Sequence, residues 1–557
     1  MSVIRKELAH AAMSRSHALI DYNIHNDIHK RHEFKKQTLL ADNFLTKDEK
    51  NYAINWITKG YDRDKILENS GTRRICENCN QKCLATLYCE FCVRNYLKAN
   101  FSNWTSGNVN IDNLIQKCQS ETLLPSRIVE WIPYNNLQNI RYLTKGGFSE
   151  IYTAVWVDGR YEEWDSKKQQ LKRVGRHNVV LKKLENVESA NQSWLLAKSH
   201  LTISNKEPDI VQCYGLTQNI SNGSYMLVME IMEVNLREFL QQNHNKLTWK
   251  QKINITFEVV KALYFIHFEN SIHRDLHSGN ILYSQLNNSW VISDLGFCGP
   301  ADKSSKSVYG NLPYIAPEAI NGREYTFKSD IYSIVMLMWE ISSGQPPFIN
   351  HGHDYNLVMN ITNGIRPKIV LGTPTEYKNL MKQCWDADPS KRPDINTLAF
   401  KIQKMNLYYQ SMTDESEIHN NLELDETNSG TNSRSFTSKI HQFENLPEPR
   451  NATEEELEVF HSKPYDFSIP TNIDDFNNSS DQNNSRTSKI HNFMVNSKNL
   501  SKTFEKLQIN DETVQQTKGS NVNFDDDEDV YNNPNFHSKE QDEFEIPKDE
   551  DEVHDNQ

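Results

Sequence analysis

The chain has 557 residues, more than one ordinary domain needs, and about two to four folded units is the expectation for that length. Only 37% of residues are hydrophobic and the mean hydropathy is −0.72, so a long stretch must lack a core of its own. The formal net charge of −13 excludes a nucleic-acid binder that works through bulk charge. No apolar run reaches the ~20 residues that cross a bilayer, and the N-terminus lacks the unbroken apolar stretch of a secretory signal. The expectation is a cytoplasmic protein without a membrane span, its nine cysteines thiols or metal ligands rather than disulfides.

Residues 1–70 read as a charged, helical N-terminal region. Thr46-Lys-Asp-Glu49 ahead of Tyr52, Ala53, Ile54 and Ile57 is a capping-box start to an amphipathic helix. His25, His29 and His32 fall at i, i+4 and i+7. No carboxylate or cysteine pattern supports them, so they read as a solvated polar face. Residues 71–105 form a zinc-knuckle module of four cysteines. Cys76-x-x-Cys79 and Cys89-x-x-Cys92 are two turns, each able to aim two sulfurs at one ion, which together complete a tetrahedral thiolate shell for a structural zinc. Cys83 lies between them as a spare thiol able to replace one ligand. From about 130 to 405 short apolar runs alternate with helical patterns, as in a two-lobed domain of mixed α and β structure. Residues 410–557 form an acidic tail rich in Asn and Ser, which cannot bury enough apolar area to offset its ordering entropy and reads as disordered. Within it, Thr437-Ser-Lys-Ile-His-Gln-Phe443 and Thr487-Ser-Lys-Ile-His-Asn-Phe493 echo one another, either as a degenerate duplication or as a motif that docks signalling partners.

The chemistry-bearing residues lie between 143 and 296. Leu143 to Tyr152 reads as strand, glycine turn and returning strand, with Gly146 and Gly147 in the turn and Ile151 after it. Glycines let backbone amides approach phosphates closely. Val179-Val180-Leu181-Lys182 is a strand ending in a lysine, and the polar insertion from Asp158 to Asn178 before it reads as an exposed hairpin. Met226 to Met232 reads as a further strand and connector. Ser271 to Leu282 carries Asp275 and Asn280 on a loop, and Asp294 stands at the mouth of the following apolar strand. One carboxylate to orient and deprotonate a hydroxyl, with an amide and a second carboxylate as oxygen ligands for magnesium, are the parts that phosphoryl transfer from a nucleotide requires.

In this order and spacing, residues 130–405 resemble the protein kinase superfamily over the whole length of its domain. The implied fold is α+β and two-lobed, preceded by the helical and zinc-knuckle region and followed by the disordered tail. The resemblance implies ATP and Mg2+. Asp275 becomes the catalytic base, Lys182 the contact to the α- and β-phosphates, and Asn280 and Asp294 the metal ligands. Gly146, Gly147, Ile151, Val180, Met229, Glu230, Met232 and Leu282 become the nucleotide-binding residues, with Met229 the gatekeeper. Ala316-Pro317-Glu318 closes the activation segment, with Glu318 paired to Arg392. Ser304, Ser305, Ser307 and Tyr309 are candidate activation-segment phosphosites. The Gly310-Asn-Leu-Pro-Tyr314 segment and the Cys384-Trp385…Arg392-Pro393 close are similar to the tyrosine-kinase-like branch of Ser/Thr kinases. The knuckle, Phe101-to-Gly107 segment, kinase domain and Asn-rich tail together are similar to the expanded kinase families of arbuscular mycorrhizal fungi.

Several residues depart from the pattern. Thr144 and Ser149 replace two glycines, His277 replaces a lysine, and Leu196 stands where the helix glutamate pairs with the lysine. That charge-assisted bond is worth about 1.5–3 kcal/mol, so its absence costs about 10- to 100-fold in rate. The implied activity is transfer of phosphate to Ser/Thr, and to Tyr as a second possibility, on protein substrates. The alternatives are a pseudokinase that acts as a nucleotide-binding regulatory scaffold, a small-molecule phosphotransferase, and a protein whose knuckle and tail serve interaction alone.

Overall fold

The structure, a computed structural model, describes residues 4–145, 149–184, 190–284, 288–298, 308–412, 438–443 and 445–462. Three helices lead the chain, α1 (Lys6–Ala18), α2 (Ile28–Ala41) and α3 (Lys47–Leu67). The capping box at α3 is present: Glu49 N donates to Thr46 Oγ1 at 3.3 Å and Thr46 N donates to Glu49 Oε2 at 2.9 Å. Ala9, Met13, Leu39, Ala53 and Ile57 join the helices in a small core. The histidines of α2 are not the solvated face expected of them. His29 bonds the Tyr61 hydroxyl at 2.6 Å and Ser70 at 3.0 Å, and the His32 ring stacks on Tyr61 at 4.1 Å. Both rings meet α3 through Tyr61, and the His29 nitrogens find their partners there and just beyond it.

The cysteine segment comprises a two-residue ladder of β1 (Arg74–Ile75) with β2 (Lys82–Cys83), then α4 (Glu90–Ala99). It is tied to α3 by Asp62, whose two carboxylate oxygens accept from Thr86 N at 2.7 Å and Leu87 N at 2.8 Å. Helix α5 (Val109–Ser120) then places Ile111, Leu114, Ile115 and Cys118 in the core of the first lobe.

That lobe is built from β3 (Glu130–Trp131), β4 (Leu137–Lys145), β5 (Glu150–Trp156), the hairpin β6 (Tyr161–Asp165) and β7 (Gln170–Arg173), β8 (His177–Lys183), helix α6 (Ala190–Lys206), β9 (Cys213–Gln218) and β10 (Tyr225–Glu230). Six strands form one sheet in the order β3-β9-β10-β8-β5-β4. All of its pairs are antiparallel except β3 with β9. Strand alternation decides which side chains face the cleft. Val179 and Leu181 of β8 are fully buried on one face, which turns the half-buried Val180 and Lys182 to the other. The insertion before β8 is a hairpin as expected, yet it is not free in solvent. Trp164 and Leu171 are buried in the cluster that contains Cys76, Cys83, Cys89 and Cys92, so the hairpin lids the cysteine module.

The second lobe is helical: β11 (Val234–Asn235), α7 (Leu236–Asn243), α8 (Trp249–Phe268), β12 (Ile281–Ser284), β13 (Ser289–Ile292), β14 (Val308–Gly310), α9 (Pro317–Ile320), α10 (Phe327–Ser343), α11 (Tyr355–Thr362), α12 (Thr375–Cys384) and α13 (Ile395–Ser411). Thr248 and Gln251 form the capping box of α8 at 3.0 and 3.3 Å. Helix α10 is buried on every side from Ser329 to Ser342, as its unbroken apolar run requires.

Part of the segment expected to be disordered is ordered here. Strand β15 (Lys439–His441) pairs with β14, and α14 (Glu454–Ser462) lies on the helical lobe. Phe443, Leu446, Ala452, Leu457 and Phe460 pack against that lobe's core. The composition argument fails for these residues because the segment uses the core of the lobe instead of forming its own.

Candidate active site

The loop from His273 to Asn280 is held in place from below by a buried carboxylate. Asp330, at the start of α10, accepts from His273 N at 2.8 Å and Arg274 N at 3.0 Å, and lies 2.9 Å from His267 Nε2. These bonds stabilise Arg274 at φ +70, a left-handed conformation unfavourable for a side chain of its size. The turn presents Asp275 to the cleft. Asn280 Nδ2 donates to the Asp275 carbonyl at 2.9 Å, and Ser293 N donates to the Asn280 carbonyl at 2.8 Å. The loop and the mouth of β13 are thereby stitched together, and Asp294 follows directly.

From the other lobe, Lys182 Nζ forms an ion pair with Asp294 Oδ1. The strand register sets this reach: Lys182 lies opposite Ile151 of β5 and Leu227 of β10. Four of the sequence-predicted residues, Lys182, Asp275, Asn280 and Asp294, are therefore gathered at one cleft. Val180 lies opposite Met229, which is buried, and Leu282 and Met232 pack against the same cluster. Glu230 N donates to Gln212 O at 2.9 Å, which fixes the connector between the lobes. Gly146 and Gly147 lie outside the described residues; β4 and β5 flank them, with Lys145 opposite Glu150. Ser304, Ser305 and Ser307 also lie outside. Position 196 falls in α6.

Electrostatics separates the two aspartates. Burial raises the Asp275 carboxyl and the nearby Asp294 charge adds to it, to about 6, against hydrogen bonds from Ser438 and Tyr309. Burial acts on Asp294 as well, but the charge and hydrogen bond of Lys182 outweigh it and hold that carboxyl well below the usual range. Burial, then the Arg237 charge, lowers His277 to about 4, so it is neutral at pH 7. The oxygens of Asp294 and Asn280 are hard donors suited to magnesium. With Asn280 Nδ2 committed to the Asp275 carbonyl, the amide oxygen is the acceptor left for an ion. Further out, Glu318 and Arg392 make the expected bidentate pair at 2.7 and 2.8 Å.

Comparison with protein families matches residues 137–402 to protein tyrosine and serine/threonine kinases. Residues 137–402 are a protein kinase domain. Among relatives of the kinase domain, the dual specificity protein kinase zakA of Dictyostelium discoideum is 30% identical over 232 residues, 38% of this chain and 29% of its own length. A dual serine/threonine and tyrosine protein kinase of Danio rerio is 31% identical over 238 residues, 42% of this chain and 27% of its own. One of that name from Canis lupus familiaris is 32% identical over 204 residues, 36% and 22%. The chain thus spans less than a third of the length of each of these relatives. No helix among the described residues is long and apolar enough to cross a membrane.

Ahead of the kinase domain, the thiols of Cys76, Cys79, Cys89 and Cys92 all lie within 4.8 Å of one another. Cys76 and Cys92 sulfurs are 3.7 Å apart and those of Cys79 and Cys89 3.6 Å, close to the edge of a tetrahedron with metal–sulfur bonds of about 2.3 Å. Burial would raise the Cys76 thiol, yet the backbone amides of Cys79 and Asn78 bring it down to about 7. Cys83 is not one of these four, although its thiol lies within 4.8 Å of the Cys89 thiol and a Glu90 carboxylate oxygen, and it donates to the Arg74 carbonyl at 3.4 Å.

Two contributors escaped sequence reasoning. For Asp330 the available signal is an acid near the head of an otherwise apolar helical run. Ser438 lies in the repeated Thr-Ser-Lys-Ile-His motif, and the repeat itself was its signal.

Proposed function

We propose that this chain transfers the γ-phosphate of ATP to Ser/Thr hydroxyls, and to Tyr as well, on protein substrates in intracellular signalling. Support comes above all from one observation: Asp275, Asn280 and Asp294 share a cleft with Lys182, across which an ion pair joins the two lobes. Asp275 takes the role of base and receives the proton of the attacking hydroxyl. Asn280 and Asp294 would hold Mg2+, which supplies charge neutralisation on the phosphates. Lys182 holds the nucleotide phosphates, and Ile151, Val180, Met229, Glu230, Met232 and Leu282, with Gly146 and Gly147, form its pocket. Cys76, Cys79, Cys89 and Cys92 hold a structural Zn2+. The segment from Gly310 to Tyr314 favours assignment to the tyrosine-kinase-like branch, and the cytoplasm is the proposed site of action.

The second reading, a pseudokinase scaffold, is favoured by Leu196 in place of the pairing glutamate and by a neutral His277. Radiolabelled transfer to myelin basic protein separates the two. The expected outcome is a slow but measurable rate that falls about 10²- to 10⁴-fold in Asp275→Asn. Equal incorporation by both proteins, or none by either, leaves the scaffold reading.

A further inference from the structure

The cleft beside Asp275 already contains a hydroxyl group, and it comes from this chain. Ser438 Oγ donates to Asp275 Oδ1 at 2.8 Å and lies 3.1 Å from His277 Nε2. The histidine tautomer sharpens the geometry. His277 Nδ1 accepts from Gly279 N at 3.1 Å, so in the neutral ring the hydrogen sits on Nε2 and points at Ser438 Oγ. The serine proton is directed to the carboxylate and one lone pair accepts from His277, while the Tyr309 hydroxyl shares the same corner of the cleft with Asp275 and Ser438.

A length of tail delivers this serine. Strand β15 runs antiparallel to β14, with Lys439 opposite Gly310, Ile440 opposite Tyr309 and His441 opposite Val308. His441 Nε2 is 3.1 Å from the Gly310 carbonyl. Downstream, Arg450 N donates to Thr362 O at 3.1 Å and Ala387 N donates to Asn451 Oδ1 at 2.8 Å. Phe460 stacks on His351 with ring centres 5.4 Å apart. The lobe itself is shaped for this passage. Gly364 has φ +90, and a Cβ on it would sit 2.1 Å from Ala452 N, so a glycine is required where the tail crosses.

We propose that Ser438 is a phosphorylation site of this chain, modified in cis by its own kinase domain, with Thr-Ser-Lys-Ile-His-(Gln/Asn)-Phe as the sequence the groove reads. The inference rests on the kinase reading above. Ser438 Oγ attacks the γ-phosphorus of ATP, forming the new P–O bond as the bond to the β,γ-bridging oxygen breaks. The electron pair of the broken bond leaves with ADP, and the serine proton passes to Asp275. The same motif recurs as Thr487-Ser-Lys-Ile-His-Asn-Phe493, which lies outside the described residues and offers Ser488 in the same sequence setting.

The test uses the full chain, dephosphorylated, then given ATP and Mg2+ with myelin basic protein in a parallel reaction. Phosphosites are mapped by mass spectrometry. Expected is phosphate on Ser438, with a first-order rate that stays constant over a 100-fold dilution. Ser438→Ala loses that phosphopeptide. Phe460→Asp, which loosens the tail's seat, slows the modification and makes it concentration-dependent. At micromolar protein the slowing is up to about 1,000-fold, the ratio of a millimolar effective concentration to the protein's own. Phosphate on myelin basic protein with Ser438 unmodified, or with phosphate only elsewhere, Tyr309 included, overturns the inference and leaves the kinase reading intact. No transfer to either acceptor removes both.

Discussion

Glu318 and Arg392 meet as a bidentate pair that solvent does not reach, with Ser329 Oγ donating to the same carboxylate at 3.0 Å and Arg392 donating also to the Lys328 and Asp386 carbonyls. Such a pair adds little net stability over a well-packed apolar substitute, but losing one partner strands a buried charge. Arg392→Met is therefore expected to destabilise the helical lobe by about 3–5 kcal/mol in denaturant titration, and simultaneous Glu318→Leu to recover much of the loss. A loss below about 1 kcal/mol for the single change would mean that water reaches Glu318. Glu258 gives the opposite sign. Burial pushes its carboxyl up to about 7 although Trp290 N and Asn254 Nδ2 donate to it. A carboxyl raised on folding binds its proton more tightly in the native state, so the stability it contributes is present below the unfolded value of about 4.5 and fades as pH rises through 7. Glu258→Gln is expected to flatten the fall in Tm between pH 5 and pH 8, a difference of at most about 3 kcal/mol. Parallel Tm curves for the two proteins would contradict this.

The hairpin β6–β7 and helix α4 share one cluster with the four thiols. A module with so small a core would gain most of its stability from a metal cross-link such as the zinc proposed for these thiols. Elemental analysis is expected to find about one zinc per chain, and Cys92→Ser to lower that content and the Tm together. Because Trp164 and Leu171 rest on the module, chelation is also expected to expose the hairpin to protease ahead of β4 and β5; a cleavage pattern unchanged by chelator would show that the hairpin stands alone. The hairpin's existence could be read from a polar insertion between two apolar strands. Its cover over the cysteines could not, since strand alternation identifies the apolar face and says nothing of what meets it.

For the molecule as a whole, the proposed modification gives the tail a role in access, because β15 pairs with β14 beside Asp275. A phosphate on Ser438 brings close to two negative charges beside Asp275 and Asp294, and like-charge repulsion in a buried cleft drives the strand out. The full chain is accordingly expected to show a lag while Ser438 fills, and removing residues 413–557 to abolish that lag and raise the initial rate of transfer to myelin basic protein several-fold. Identical progress curves would assign the tail no role in access.

Asp275, Asn280, Asp294 and Lys182 were legible because each belongs to a short run whose order and spacing encode its backbone: the loop and strand that present a group are made by its own neighbours. Glu318 and Arg392 were legible for the same reason, as ends of two recognisable segments. Ser438 was not, because its partner Asp275 is 163 residues away and a polar segment carries no local sign that it will use another lobe's core. Asp330, which grips the catalytic loop from 57 residues beyond it, was hidden in the same way. Covalent neighbours impose geometry through backbone sterics and capping, which the order of residues records directly. Contacts between distant segments exist only where burial of apolar surface repays the entropy of closing the chain between them, and that balance is set by the folded surfaces that meet.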